Sequence, residues 1–264
     1  MLELNQVSKT FYPGTVNERL ALDNINLQLK EGDFVTIIGS NGAGKSTLFN
    51  AIAGNLLTDE GNIFLENKDI TFMEPHKRAR TIGRLFQDPL KGTAPSMTIE
   101  ENLALSYSRS NKKSWRIGIS QKEKELFRET LSSLGLGLED RMKTKMGLLS
   151  GGQRQAVTLL MSTLVTPKLL LLDEHTAALD PGTAEKVITL TREIVAENNI
   201  TTMMITHNIG SALALGNRTI MMDNGRVILD ISGEVRASMT VETVLELFKS
   251  ESHRALDNDR ILFA

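Results

Sequence analysis

The stretch Gly39-Ser40-Asn41-Gly42-Ala43-Gly44-Lys45-Ser46-Thr47 constrains this chain more than any other. It sets glycines, a lysine and a hydroxyl residue at the spacing GxxxxGK[ST]. Phe34-Val35-Thr36-Ile37-Ile38 before it reads as a buried strand, and Thr47-Leu48-Phe49-Asn50-Ala51-Ile52 after it as the opening of an amphipathic helix. A plain glycine-rich turn would match the bare pattern, but strand, loop and helix in that order imply an α/β core built around the loop. Gly39, Gly42 and Gly44 allow positive φ and close backbone approach, so that successive N–H groups converge on phosphate oxygens. The helix start adds unpaired N–H groups and a favourable dipole. Lys45 would reach the β- and γ-phosphates, while the Ser46 hydroxyl would ligate Mg²⁺.

With 264 residues, one domain carrying a subdomain and two separate domains are both admissible. A net charge of −2 gives no reason to expect a nucleic-acid partner. There are no cysteines, so no disulfide framework exists and a reducing compartment is compatible. Nothing approaches about 18 consecutive apolar residues, and Met1-Leu2-Glu3-Leu4-Asn5 lacks the basic and apolar regions of a signal peptide. Any membrane work would require another subunit to span the bilayer.

Apolar residues alternate from Leu2 to Val7 and from Leu20 to Leu29, as in antiparallel strands, around the turn Phe11-Tyr12-Pro13-Gly14. Glu60-Gly61-Asn62 reads as a turn into the strand Ile63-Phe64-Leu65, and Ile82 to Phe86 as another strand. Residues 89–148 read as a mainly helical insertion. It contains a helix start at Thr98, a helix carrying Leu126, Phe127, Thr130, Leu131 and Leu134, and a basic run with Arg109, Lys112, Lys113, Trp115 and Arg116. That run is either a solvated surface or a face toward lipid headgroups. Beyond it, helix 150–165, strand 168–172, helix 183–198, strand 201–206 and helix 208–215 alternate, which implies a parallel sheet covered on both faces. Asn224-Gly225 marks a hairpin, and Val241, Val244, Leu245 and Phe248 share one face of a last helix.

A phosphate loop alone says only nucleotide, and the acids decide the chemistry. Leu169-Leu170-Leu171-Leu172-Asp173-Glu174 is an apolar strand ending in two carboxylates. Asp173 would hold Mg²⁺ and Glu174 would polarise a water. Leu149-Ser150-Gly151-Gly152-Gln153 opens a helix just upstream. Ser150 can cap that helix, and the two glycines leave N–H groups bare for a γ-phosphate.

Together these motifs resemble the ATP-binding cassette (ABC) transporter ATPases, from about Leu2 to Phe248. The resemblance implies a P-loop NTPase core with an antiparallel β subdomain and a helical insertion subdomain. The single ABC ATPase domain would run over 1–250, with 1–88 and 149–250 as nucleotide-binding core, 89–148 as helical subdomain and 251–264 as a tail. It implies that Phe11, or less well Tyr12, stacks on adenine and that Gln87 senses Mg²⁺ and the attacking water. Ala178-Leu179-Asp180 would cross to the partner subunit, and His207 would contact the γ-phosphate. It implies ATP and Mg²⁺ as ligands, with Ser46, Gln87 and Asp173 on the metal and Glu174, His207, Gln87 and Lys45 catalytic. The ATP would be gripped by Phe11, the loop Gly39 to Thr47, and the partner's counterparts of Ser150, Gly151, Gly152, Gln153 and Asp180. Partners would be a second copy of the chain, membrane permease subunits and a separate solute-binding protein, at the cytoplasmic face of the membrane. Arg84, Leu90 and Met97 would lie near the permease's docking helix.

His175 stands where this superfamily most often has proline, and is read as a tolerated variant rather than a pH sensor. His76 and His253 read as solvated surface residues. The wording around Gln87 and Glu174 is similar to bacterial importer ATPases of the tryptophan/tyrosine transport group. A soluble cassette protein and a lipid-exporting ATPase are the rival readings. A small-molecule kinase of the P-loop class would have no use for Ser150 to Gln153.

Overall fold

The structure is a computed structural model that describes residues 1–109, 118–177 and 179–251, the last without its side chain. Lys112, Lys113, Trp115, Arg116, Ala178, His253 and the apolar end of the tail lie outside the described residues. The chain divides into two compact units, residues 79–200 and the segments on either side of them.

In the first unit the chain forms β1 (Leu2–Phe11), β2 (Arg19–Leu29), β3 (Phe34–Gly39), α1 (Lys45–Ala53), β4 (Glu60–Leu65), β5 (Lys68–Asp69) and α2 (Pro75–Arg78). The second unit supplies β6 (Ile82–Leu85), α3 (Ile99–Tyr107), α4 (Gln121–Ser132), α5 (Gly151–Thr163), β7 (Leu169–Asp173) and α6 (Pro181–Glu197). The first then resumes with β8 (Thr201–Ile205), α7 (Ile209–Leu215), β9 (Arg218–Asp223), β10 (Arg226–Ser232), α8 (Gly233–Ala237) and α9 (Val241–Glu251).

The first unit holds an antiparallel sheet in the order β2-β1-β4-β5, in line with the alternating pattern of its strands. Glu60-Gly61-Asn62, expected as a turn, belongs to β4 instead. Gln6 and Val7 of β1 sit against the single residue Gly61, because Asn62 pairs with Asn5 and Glu60 with Ser8. This two-against-one bulge leaves no room for a side chain, since a Cβ on Gly61 would stand 2.4 Å from the Asn5 and Gln6 carbonyl oxygens. A second sheet of the same unit has β3 between β8 and β9, both parallel to it, with β10 hairpinned onto β9. Asn224 and Gly225 turn that hairpin with φ of 44° and 78°, the left-handed pair that such turns require. Val244 and Phe248 of α9 are buried against Ile38, Ile209, Ala212 and Met221, so the last helix covers the core face read from its spacing.

Arg78 locks the far end of α1. Fully buried, its guanidinium donates to the Ala51 and Ile52 carbonyls that end the helix, at 2.8 Å each, and to the Met73 and Thr71 carbonyls at 2.9 and 2.8 Å. Helix-end carbonyls otherwise lack partners, and one side chain here satisfies several at once.

In the second unit β6 and β7 pair in parallel. Ile99, Leu103, Phe127, Leu131, Met146, Ala156 and Leu160 form one buried cluster, so helices of the 89–148 segment share a core with α5. Thr98 with Glu101 and Ser120 with Glu123 form capping boxes that start α3 and α4. The α4 helix stops at Ser132, earlier than its apolar spacing suggests, and Leu134 is buried in the turn that follows. α6 begins at Pro181, two residues before the expected Thr183, because Asp180 caps it and proline suits a first helical position. Arg109 is half-buried and donates to the Met161 carbonyl at 2.7 Å and to Ser106, so it belongs to the interior side of this unit and not to a lipid-facing surface.

Candidate nucleotide site

In the first unit, β3 runs into the loop at Gly39, whose φ of 148° leaves no space for a side chain: a Cβ there would stand 2.1 Å from the Met222 carbonyl oxygen. Gly44, at φ 102°, caps α1, and a Cβ on it would meet the Ala21 carbonyl oxygen at 2.4 Å. The glycines are thus required by the packing of the loop between β2 and the β9–β10 hairpin as well as by its turn. The hairpin also bonds the loop directly. Gly225 N–H donates to the Ala43 carbonyl at 3.0 Å, and Ser40 Oγ donates to Asp223 Oδ1 at 3.3 Å. Lys45 is buried, its Nζ donating to the Gly39 and Ser40 carbonyls at 2.7 and 2.9 Å. No side chain caps the start of α1, where the positive end of the helix dipole suits an anion. Asn41, Gly42 and Ser46 are exposed. Phe11 ends β1, half-exposed, with its ring centroid 6.5 Å from that of Tyr12. His207 follows β8 and, with Ile38, Gly39, Leu245 and Phe248, lines a small apolar cavity.

In the second unit the four leucines of β7 are fully buried and deliver Asp173 and Glu174 at its end. Glu174 has a left-handed φ of 45°, a conformation that costs a non-glycine residue about 1–3 kcal/mol and is held only where the surroundings impose it. Gln87 Nε2 donates to Glu174 Oε2 at 2.9 Å, so this glutamine and this acid, read separately from sequence, stand together. Arg84, expected beside the permease groove, is turned inward. Its Nη2 lies 3.5 Å from Asp173 Oδ2 and its guanidinium 4.6 Å from the centre of the Phe86 ring. Burial lowers the Arg84 pKa while Asp173 opposes that shift. Leu90 is exposed and Met97 half-buried.

Ser150 caps α5 in a capping box. Its Oγ accepts from Gln153 N–H, and Gln153 Oε1 accepts from Ser150 N–H, each at 3.2 Å. Gly152 faces α6 so closely that a Cβ would lie 2.0 Å from Thr183 Cγ2. Arg154 holds the approach to this helix by donating to the Met146, Gly147 and Leu149 carbonyls. Asp180 accepts from Thr183 N–H at 3.1 Å, and its pKa is lowered by the Thr183 hydroxyl first and by that N–H second. His175 is buried with Nε2 3.2 Å from Thr191 Oγ1, and burial pushes its pKa down to about 4. It is therefore neutral near pH 7, in line with a tolerated variant. His76 is exposed, 3.7 Å from Glu74 Oε2.

Sequence reasoning missed the support provided by Asp223, which accepts from the Ser40 hydroxyl, and by Gly225, Arg78 and Arg154, which donate to backbone carbonyls that no motif assigns to them. The Asn-Gly turn signals the hairpin but not its bond to Ala43.

A glycine loop of this kind at the end of a parallel strand, with a buried lysine and an uncapped helix start, defines a P-loop nucleotide-binding protein. The ABC transporter family model matches residues 22–177. The tyrosine transport ATP-binding protein of Clostridioides difficile (strain R20291) is 43% identical over 94% of this chain and 99% of its own length. The methionine import ATP-binding protein of Vibrio vulnificus (strain YJ016) is 32% identical over 98% of this chain and 73% of its own. A dimeric ATP-binding cassette in a post-hydrolysis state, bound to ADP and phosphate, superposes with a TM-score of 0.74 at 32% identity, covering 88% of this chain and 98% of that one. The chain belongs to the ABC transporter family and is an ATPase subunit of it.

Proposed function

We propose that this chain is the ATP-hydrolysing subunit of a bacterial amino-acid importer. It would work as a head-to-tail dimer at the cytoplasmic face of the membrane, peripheral to separate permease subunits and supplied by a solute-binding protein. The observation that carries the solute class is the 43% identity, along nearly the whole of both chains, to a protein named for tyrosine transport. No helix among the described residues is long and apolar enough to cross a membrane, which fits a subunit that borrows its span from a partner.

Phe11 would stack on adenine, and the N–H groups from Gly39 to Thr47 would take the phosphates, with Lys45 leaving its carbonyl partners for the β- and γ-oxygens. Mg²⁺ takes oxygen donors, commonly one or two carboxylates with phosphate and water completing its shell, so the Asp173 carboxylate, helped by the Ser46 hydroxyl and the Gln87 carbonyl, would suit it. When bound, the ion would neutralise charge developing on the phosphates. Glu174 would accept a proton from the attacking water as its oxygen bonds to the γ-phosphorus and the bond to the β-phosphate bridge breaks, releasing ADP. The Gln87 amide aims the Glu174 carboxylate, and His207 would stabilise the γ-phosphate. Ser150, Gly151, Gly152, Gln153 and Asp180 of the second subunit would close the site. Loss of the γ-phosphate then opens the dimer and moves the permease. The division into a core of 1–88 and 149–250 with a helical subdomain of 89–148 is part of the same reading.

Glu174→Gln, tagged and solubilised from membranes in detergent with Mg-ATP, tests the proposal. An integral membrane protein should be retained, and the reconstituted wild-type complex should show ATPase activity stimulated by an amino acid through a binding protein. Retention of no membrane protein, or stimulation by sugars alone, would overturn it.

A further inference from the structure

Arg19 belongs to none of the motifs above, yet it stands between two of them. It opens β2 and pairs directly with Phe11 across the β1–β2 ladder. Directly opposed residues of an antiparallel pair project from the same face of the sheet. The Arg19 side chain runs from that face to the phosphate loop, where its Nη2 donates to the Gly42 carbonyl oxygen. A Cβ built on Gly42 would stand 2.6 Å from the same nitrogen, so this end of the guanidinium abuts the loop. The face that carries Phe11 is therefore the face that meets the loop.

Arg19 is exposed, and Gly42 is the one hydrogen-bond partner its guanidinium has among the described residues. Among the described residues no carboxylate pairs with it. Glu18, its neighbour in sequence, instead accepts from the Gly14 N–H at 2.6 Å. Arginine presents several N–H donors in a rigid fork and suits both phosphate oxygens and an aromatic face. Here the fork is anchored by one arm and exposed on the others, with an aromatic ring on one side and an anion-binding loop on the other.

We propose that Arg19 is a nucleotide-binding residue: one arm ties the loop to β2 through Gly42, and the free donors grip the nucleotide between its base and its β-phosphate. This rests on the nucleotide site proposed above. That part of the ligand is common to ATP and ADP, so Arg19 holds both equally and contributes to affinity rather than to the bond-breaking step.

The test measures Mg-ADP and Mg-ATP binding by calorimetry, together with kcat, KM and the melting temperature, in the full-length wild type, Arg19→Gln, Arg19→Lys and Lys45→Ala. Loss of a charge-assisted contact should weaken both nucleotides roughly tenfold in Arg19→Gln. KM should rise with kcat held within about twofold, any fall in the ligand-free melting temperature from loss of the Gly42 bond should be too small to account for the lost affinity, and Arg19→Lys should recover part of the loss. Unaltered ADP affinity, or a fall in kcat without a change in affinity, would overturn the role, the second outcome reducing Arg19 to a prop for the loop. A wild type that binds no nucleotide, or a Lys45→Ala variant that binds it undiminished, would remove the underlying site and the role of Arg19 with it.

Discussion

Lowering the pH should destabilise this protein through His175. The residue is 3% exposed, its ring bonded to Thr191 Oγ1, and burial alone pushes its pKa from 6.5 to about 4. The unfolded chain therefore takes up a proton that the folded chain refuses. The stability contributed by the neutral ring is complete above pH 6.5 and is lost as the pH falls toward 4. That gap amounts to about 3 kcal/mol below pH 4, and to about 2 kcal/mol at pH 5 relative to pH 7.5. Carboxylates titrate in the same range, so the contribution is read as a difference from His175→Gln, which keeps a polar group for Thr191. Urea unfolding followed by circular dichroism at pH 7.5 and pH 5 should show the wild type losing about 2 kcal/mol more than the variant. Equal losses in the two proteins would refute the reasoning and place the ring in contact with water or an acid.

Arg78→Met should cost about 3–5 kcal/mol in urea unfolding, because the carbonyls ending α1 and those of Thr71 and Met73 lose a buried charged donor. A cost below about 1 kcal/mol would mean that water replaces it. Gly152→Ala should lower stability by about 1–3 kcal/mol through overlap with Thr183 Cγ2. Thr183→Ser, which removes that methyl, should restore most of the loss in the double variant, and simple additivity of the two changes would contradict the packing.

The elements were legible wherever a local rule governs them. The phosphate loop, the acidic strand end, the Asn224-Gly225 hairpin and the apolar face of α9 follow from spacing within a few residues, and the structure has them all. The bulge at Gly61 was not legible, because it depends on which residues of β1 face β4, a matter of register between distant segments. Arg84 reads as a neighbour of the permease's docking helix and Arg109 as part of a basic surface run, because arginine is mostly exposed. The Asp173 carboxylate and the Phe86 ring turn the first inward, and the Met161 carbonyl the second. At the site, each motif announced itself, but the hydrogen bond from Gln87 to Glu174 joins residues 87 positions apart. Arg19 and Asp223 touch the loop from strands whose proximity no motif encodes.

The central claim is that Glu174 accepts the proton of the attacking water. Single-turnover hydrolysis of Mg-ATP by wild type and Glu174→Gln, with bound ATP quantified in the same samples, tests it most directly. Removing a general base should slow phosphate release by about 10²–10⁴-fold while ATP remains bound. Wild-type rates in Glu174→Gln at equal occupancy would contradict it.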